Sequence, residues 1–177
     1  MSITSRKHKE AAPSRLSFAI ITVSTSRYAE KERGVKKIED PSGDLLETLL
    51  KKSNNTVVLR ELASDNSEMI KNLVERLVER KDIDVIVTCG GTGVAKSDVT
   101  IETIKGIIEK ELPGFGEILR ELSYKKIGSP AILTRAFAGV KNGKAIFCIP
   151  GSPDAVKTAT KLLIIPEAPH IVKHARE

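Results

Sequence analysis

A chain of 177 residues, 40% apolar and 29% charged, has the length and balance of one globular core and lies far from the disordered, fibrous and membrane classes. No apolar run approaches the roughly 18 residues that span a bilayer. The first fifteen residues lack an apolar export region, and two cysteines in strand-like runs make no disulfide framework, so a cytoplasmic protein is expected. The formal charge is +6; Arg6, Lys7, Lys9 and Arg15 against Glu10 supply half of it within residues 1–15, and with only 3% aromatics there is little to stack on bases, so a flexible basic tail is expected rather than a nucleic-acid arm.

From residue 16 to 177 one domain is predicted. Leu16 to Ser24 is a near-continuous apolar run rich in β-branched residues, the pattern of a strand covered on both faces. A polar, charge-rich stretch from Thr25 to Glu39 reads as a loop. Asp40 and Pro41 then supply an N-cap and first helical position for a helix with Leu45, Leu46, Leu49 and Leu50 on one face. Thr56 to Leu62 reads as a second strand, and Asp65 or Asn66 can cap a helix carrying Met69, Ile70, Leu73, Leu77 and Val78.

Ile83 to Cys89 is a third strand, ended by Gly90-Gly91-Thr92-Gly93, with a helix opening at Thr100. Pro113-Gly114-Phe115-Gly116 precedes another amphipathic segment, and Asn142-Gly143 between Ala136–Val140 and Lys144–Ile149 is a two-residue hairpin signal. A last helix follows Pro150-Gly151-Ser152-Pro153 and is expected to end at Pro166 and Pro169. The alternation predicts a doubly wound α/β fold: a mostly parallel sheet with helices on both faces and an antiparallel edge hairpin.

In such sheets ligands gather outside the carboxyl ends of the strands. Four segments qualify if the strands are parallel: Ser24 to Arg27, Ser64-Asp65, Gly90 to Asp98, and Pro150 to Ser152. The Gly90–Gly93 turn has no side chains to fence off its amides except that of Thr92, so it suits a phosphate, and a helix N-terminus near Thr100 would add to that. Asp98 beside a phosphate loop invites a bridging cation, for which Mg²⁺ is suited; a helix cap accounts for the same residue equally well. Asp65 carries the same two readings. Ser152 serves as a cap or a ligand contact, Gly151 permits close backbone approach, and Ser24, Arg27 and Lys96 are further phosphate-binding candidates. His8, His170 and His174 receive no role.

Taken in order, these motifs resemble the MoaB/Mog family of molybdenum cofactor biosynthesis proteins from about Leu16 to His174. The resemblance rests on Asp40-Pro41-Ser42-Gly43, on Cys89-Gly90-Gly91-Thr92-Gly93 followed by Asp98-Val99-Thr100, on Pro113 to Glu117, and on Pro150 to Pro153. Ser97 stands where the family often has arginine, with Lys96 one position earlier, and Cys89 replaces a threonine.

The resemblance implies the molybdopterin-binding fold and transfer of AMP from MgATP to the terminal phosphate of molybdopterin, with Asp65 and Asp98 as catalytic and Mg²⁺-holding residues. It also implies a homotrimer or hexamer, delivery of the product to a downstream metal-insertion protein, and molybdenum or tungsten as the metal finally inserted. A non-catalytic molybdopterin carrier or scaffold is the alternative.

Overall fold

The computed structural model describes residues 13–177. Its elements are β1 (Ser17–Val23), α1 (Thr25–Glu32), α2 (Pro41–Lys52), β2 (Thr56–Ala63), α3 (Ser67–Val78), β3 (Val85–Cys89), α4 (Thr100–Lys105), β4 (Lys110–Glu111), α5 (Pro113–Ile127), β5 (Phe137–Lys141), β6 (Lys144–Ile149), α6 (Pro153–Ala159) and α7 (Ile165–Ala175). The sheet order is β2-β1-β3-β6-β5-β4. The first four of these run parallel, and β5 and β4 return antiparallel.

Alternation along β1 explains the layering. Phe18 and Ile20 point to one face, where Leu46 and Leu50 of α2, Leu119 of α5, Val156 of α6 and Val172 of α7 bury them. Ala19, Ile21 and Val23 point to the other, against Ile70, Leu73, Val74 and Leu77 of α3 and Ile101 and Ile104 of α4. Each fully buried side chain of this size contributes about 1.5–3 kcal/mol. The doubly wound arrangement is the one the sequence predicts.

Three local expectations need correction. The segment after β1 is not all loop, because α1 occupies Thr25–Glu32. That helix buries no residue, so it carries no apolar periodicity to read. The predicted hairpin is present, with Asn142 and Gly143 at φ 51° and 71° as a type I′ turn needs, but the two-residue β4, not the hairpin, forms the sheet edge.

Pro166 and Pro169 do not end the last helix. A π turn over Thr160–Ile164, closed by Ile165 N on Thr160 O, leads directly into α7, so Pro166 and Pro169 both sit within one continuous helical run. Ile164, Ala168 and Val172 are fully buried, and their burial offsets the roughly 3 kcal/mol that Pro169 costs inside a helix. Of the two caps expected for α3, Asn66 is the one used: its side chain accepts from Met69 N, and Asp65 is turned to Thr25 instead.

Of the expected tail, residues 1–12 lie outside the described residues; Arg15 at its end hydrogen-bonds the Thr56 hydroxyl. Among the described residues no helix is long and apolar enough to cross a membrane.

Candidate functional site

Because β2, β1, β3 and β6 are parallel, their carboxyl ends bring all four predicted loops to one edge. Gly90 N bonds Ile149 O at 3.1 Å and Ser24 N bonds Ala63 O at 2.8 Å, which ties the loops pairwise at their roots. Gly90 and Gly91 adopt φ of +105° and +62°, a region side chains disfavour. A Cβ at Gly90 would strike the Val23 carbonyl, and one at Gly151 would sit 3.3 Å from Gly90 Cα, so the glycines also allow backbone to pass backbone.

The two aspartates stand on either side of this turn. Asp65 Oδ2 accepts hydrogen bonds from Thr25 N at 3.1 Å and Thr25 Oγ1 at 2.8 Å, closing the start of α1. Its other oxygen lies 2.8 Å from where a Gly91 Cβ would be. Asp98 is not a helix cap: Val99 holds that position, and Asp98 Oδ2 instead accepts from Ala95 N at 2.8 Å. Gly93 is required by this carboxylate, since a Cβ there would come within 2.7 Å of Asp98 Oδ2. Each aspartate therefore has one oxygen engaged by the protein, while Oδ1 has no hydrogen bond among the described residues.

Such a donor set fits Mg²⁺, which keeps several waters and takes one or two carboxylates together with substrate phosphates. It does not fit an all-protein cage, and among the described residues no group of three or more His, Cys, Asp or Glu could hold a metal. The helix at Thr100 has only six residues, so what this edge offers an anion is the turn's amides rather than a helix dipole.

Other predicted residues are placed less centrally. Ser152 caps α6 by accepting from Ala155 N at 3.4 Å, and Ser24 Oγ lies 3.2 Å from Ser26 Oγ. Arg27 uses Nε on Glu39 O at 2.7 Å, bracing the loop before α2. Lys96 is exposed on the tip of the turn, and Thr92 is buried beneath it. A cavity of about 730 Å³ lies between α1 and α3, but it includes none of the predicted residues. Its cations Lys31 and Arg76 are both paired with Glu61, so the glycine edge remains the site with unspent polar groups.

Three supports were not foreseen. Arg135, just ahead of β5, donates to Gly93 O at 2.7 Å and pairs with Glu102, clamping the turn from behind. Ser42 Oγ donates to Gly151 O at 2.6 Å, tying α2 to the loop after β6. Behind it, buried Asp40 accepts from Gly43 N, Thr22 Oγ1 and Arg60 Nη2 at 3.0, 2.7 and 2.9 Å. Burial alone would pull the Arg60 guanidinium pKa down, but hydrogen bonds to Asp44, Glu47 and Asp40 outweigh it and hold the charge. The motif around Asp40 was a signal for this network; nothing in the sequence marked Arg135.

Fold and edge together define a doubly wound α/β protein that gathers a glycine turn and two half-engaged carboxylates at the carboxyl edge of its parallel strands. Comparison with known proteins sharpens this. Residues 19–170 match the family described as a probable molybdopterin binding domain. The probable molybdopterin adenylyltransferase of Methanocaldococcus jannaschii is 46% identical over 162 residues, 92% of this chain and 95% of that one. A crystal structure of molybdenum cofactor biosynthesis protein B superposes with a TM-score of 0.83 at 39% identity, covering 93% and 98% of the two chains. The tungsten cofactor synthesizing protein MoaB from Pyrococcus furiosus gives 0.80 at 38% identity, covering 94% and 100%. The chain belongs to the MoaB family of molybdopterin-binding domain proteins.

Proposed function

We propose that this protein is a molybdopterin adenylyltransferase of molybdenum or tungsten cofactor biosynthesis. The observation that carries the proposal is the pair of half-engaged carboxylates, Asp65 and Asp98, flanking the amides of Gly91 to Gly93, which make no hydrogen bond among the described residues. Relatives named adenylyltransferases, matched over most of both chains, support the same activity.

An oxygen of the pterin's terminal phosphate attacks the α-phosphorus of ATP, the bond from that phosphorus to the bridging oxygen breaks, and pyrophosphate leaves. The attacking oxygen is already an anion, so the protein needs no strong general base. Positioning and charge stabilisation do most of the catalysis. Asp65 and Asp98 would hold Mg²⁺, which supplies neutralisation of the triphosphate charge. Amides of Gly91 to Gly93, with Ser152 and Gly151 across the cleft, hold phosphate oxygens, while the Gly90 amide, also expected to do so, is spent on Ile149 O; Ser24, Arg27 and Lys96 border the same edge.

A passive carrier has no use for two acidic groups beside a phosphate cradle, since they weaken polyanion binding without a cation. Incubation with molybdopterin, MgATP and pyrophosphatase, followed by mass detection of adenylylated pterin, tests the activity; no product refutes it. The adenylylated product then passes, in the cytoplasm, to a metal-insertion protein.

Self-association into a trimer or hexamer belongs to the same proposal. The glycine edge is open, and Ile118, Tyr124 and Ile127 of α5 with Ile132 and Leu133 after it are all exposed apolar side chains that an interface would bury. Light scattering that returns the 19.3 kDa monomer across micromolar concentrations refutes the assembly.

A further inference from the structure

Because the helical run passes through Pro169 instead of ending there, His170 and His174 stand one turn apart on α7. Residues four apart share a helix face. Their Nε2 atoms are 2.8 Å from each other. The end of the helix is anchored just beyond them: Arg176 donates to Gly143 O at 3.1 Å and to Asp84 Oδ1 at 2.6 Å. Asp84 precedes β3 and Gly143 precedes β6, so the pair lies by the amino-terminal edge of the sheet, opposite the glycine edge.

The outer nitrogens decide what the inner ones can do. Glu177 Oε2 lies 2.8 Å from His174 Nδ1; a carboxylate only accepts, so Nδ1 carries the hydrogen and Nε2 of the neutral ring presents a lone pair. Glu167 Oε2 lies 3.8 Å from His170 Nδ1, where a small side-chain movement lets it receive that ring's hydrogen as well. A carboxylate behind each ring is the backing by which metal-binding histidines fix their tautomer. Nor do the rings meet as a head-on hydrogen bond requires. At this nitrogen spacing a head-on bond puts the ring centroids about 5.1 Å apart. They are 4.6 Å apart. Two bonds of about 2.1 Å to one ion, meeting at a right angle, put the nitrogens about 3.0 Å and the centroids about 4.6 Å apart.

We infer that His170 and His174 form a two-ligand site for a transition-metal dication, Ni²⁺ or Cu²⁺. Right-angle imidazole ligation suits these ions better than Zn²⁺, which favours a tetrahedral set, or Mg²⁺, which takes oxygen ligands. Among the described residues no group of three or more His, Cys, Asp or Glu could hold a metal, so the chain supplies two ligands and leaves the other coordination positions open. The side chains are 29% and 43% exposed, which lets an ion reach them from solution. As the ion enters, the hydrogen between the two Nε2 atoms moves to His170 Nδ1, no proton is released, and Glu167 and Glu177 offset the two positive charges. The site is independent of the adenylyltransferase proposal.

Titration calorimetry of the full chain with NiCl₂ tests it, with His170→Ala, His174→Ala and His8→Ala beside wild type, His8 being the chain's only other histidine. Alanine favours the helix, so the two α7 variants should fold. Wild type should bind one Ni²⁺ per chain, and excess MgCl₂ should not displace it. His170→Ala and His174→Ala should each bind at least about tenfold more weakly, and His8→Ala should bind as wild type does. Electron paramagnetic resonance of the Cu²⁺-loaded proteins should count one coordinated nitrogen fewer in each α7 variant than in wild type. Wild type that binds no Ni²⁺, binding that survives loss of either α7 histidine, binding lost in His8→Ala, or equal nitrogen counts overturns the inference.

Discussion

Replacing Asp98 by asparagine separates a chemical role from a structural one, because the geometry assigns the two carboxylate oxygens different work. Oδ2 accepts from Ala95 N at 2.8 Å and closes the turn that Asp98 N also closes on Ala95 O at 2.9 Å. Asparagine retains an acceptor for the first bond and the amide for the second. Stability should therefore fall by no more than about 1 kcal/mol, the difference between a charged and a neutral acceptor on a loop. The open oxygen is where charge matters, and asparagine removes that charge. A metal's contribution to such a reaction is worth several kcal/mol, and each 1.36 kcal/mol is a factor of ten. AMP transfer should drop by about a hundredfold or more, while molybdopterin binding measured without Mg²⁺ stays near wild type. The assay is single-turnover formation of adenylylated pterin, read by mass, with a urea melt beside it. Near-normal turnover in a folded Asp98→Asn protein would refute the metal-holding role.

Gly93→Ala puts a methyl within 2.7 Å of Asp98 Oδ2 without any φ penalty, so the carboxylate must move by about 1 Å; turnover should fall about ten- to hundredfold with little change in melting temperature, and full activity would show that the carboxylate's position is immaterial. Arg60→Leu strands the buried Asp40 without its cation and should cost about 2–3 kcal/mol in urea unfolding, less than for a fully buried pair because Arg60 is 31% exposed; Asp40→Asn in that background should recover part of the loss, and strict additivity of the two changes would deny the coupling. Burial pushes the thiols of Cys89 and Cys148 up to about 12 from an ordinary 9.0, so the folded chain binds more protons than the unfolded one between those values; their contribution is intact below pH 9 and should be lost as pH climbs toward 12, with both thiols unreactive to a disulfide reagent at pH 8 until the chain unfolds, and rapid native-state labelling at pH 8 would contradict this.

The parallel sheet was legible because its strands are covered on both faces and so appear as unbroken apolar runs: Phe18 to Val23 and Val85 to Cys89 are almost wholly buried. Helix α1 was illegible for the complementary reason. It buries nothing, and what starts it is a carboxylate forty residues away, Asp65, accepting from Thr25 N. The same distance effect limits the site. Glycines, aspartates and the motif order pointed to loops that the parallel strands do bring to one edge, yet a sequence does not say which oxygen of an aspartate is spent on the backbone. Nor does it show that Arg135, remote in the chain, clamps Gly93 O. Gly93 illustrates the gap: the positive φ belongs to Gly90 and Gly91, and Gly93 makes room for a carboxylate.

Placing catalytic groups on loops normally sacrifices precision, and the way these loops are held shows how that loss is limited. Every segment of the edge is fixed by a group from another element: the glycine turn by Arg135 and by Thr100 N on Gly91 O, Asp65 by Thr25, and the loop after β6 by Ser42 on Gly151 O and by Gly90 N on Ile149 O. The Ser42 anchor stands on the Asp40–Thr22–Arg60 network, which is mostly out of water and therefore stiff. What remains unbraced is the tip, where Val94, Ala95, Lys96 and Ser97 are all exposed and, among the described residues, the one side-chain bond to it is from Ala95 N to Asp98. A rigid cradle with one compliant tip suits the proposed reaction. The amides that must meet developing phosphate charge are preorganised, so little is spent reorganising them in the transition state. In that proposed reaction Lys96, exposed on the tip with a flexible stem, would be free to follow the triphosphate as pyrophosphate departs, a task that arginine fixed in a planar fork performs less readily.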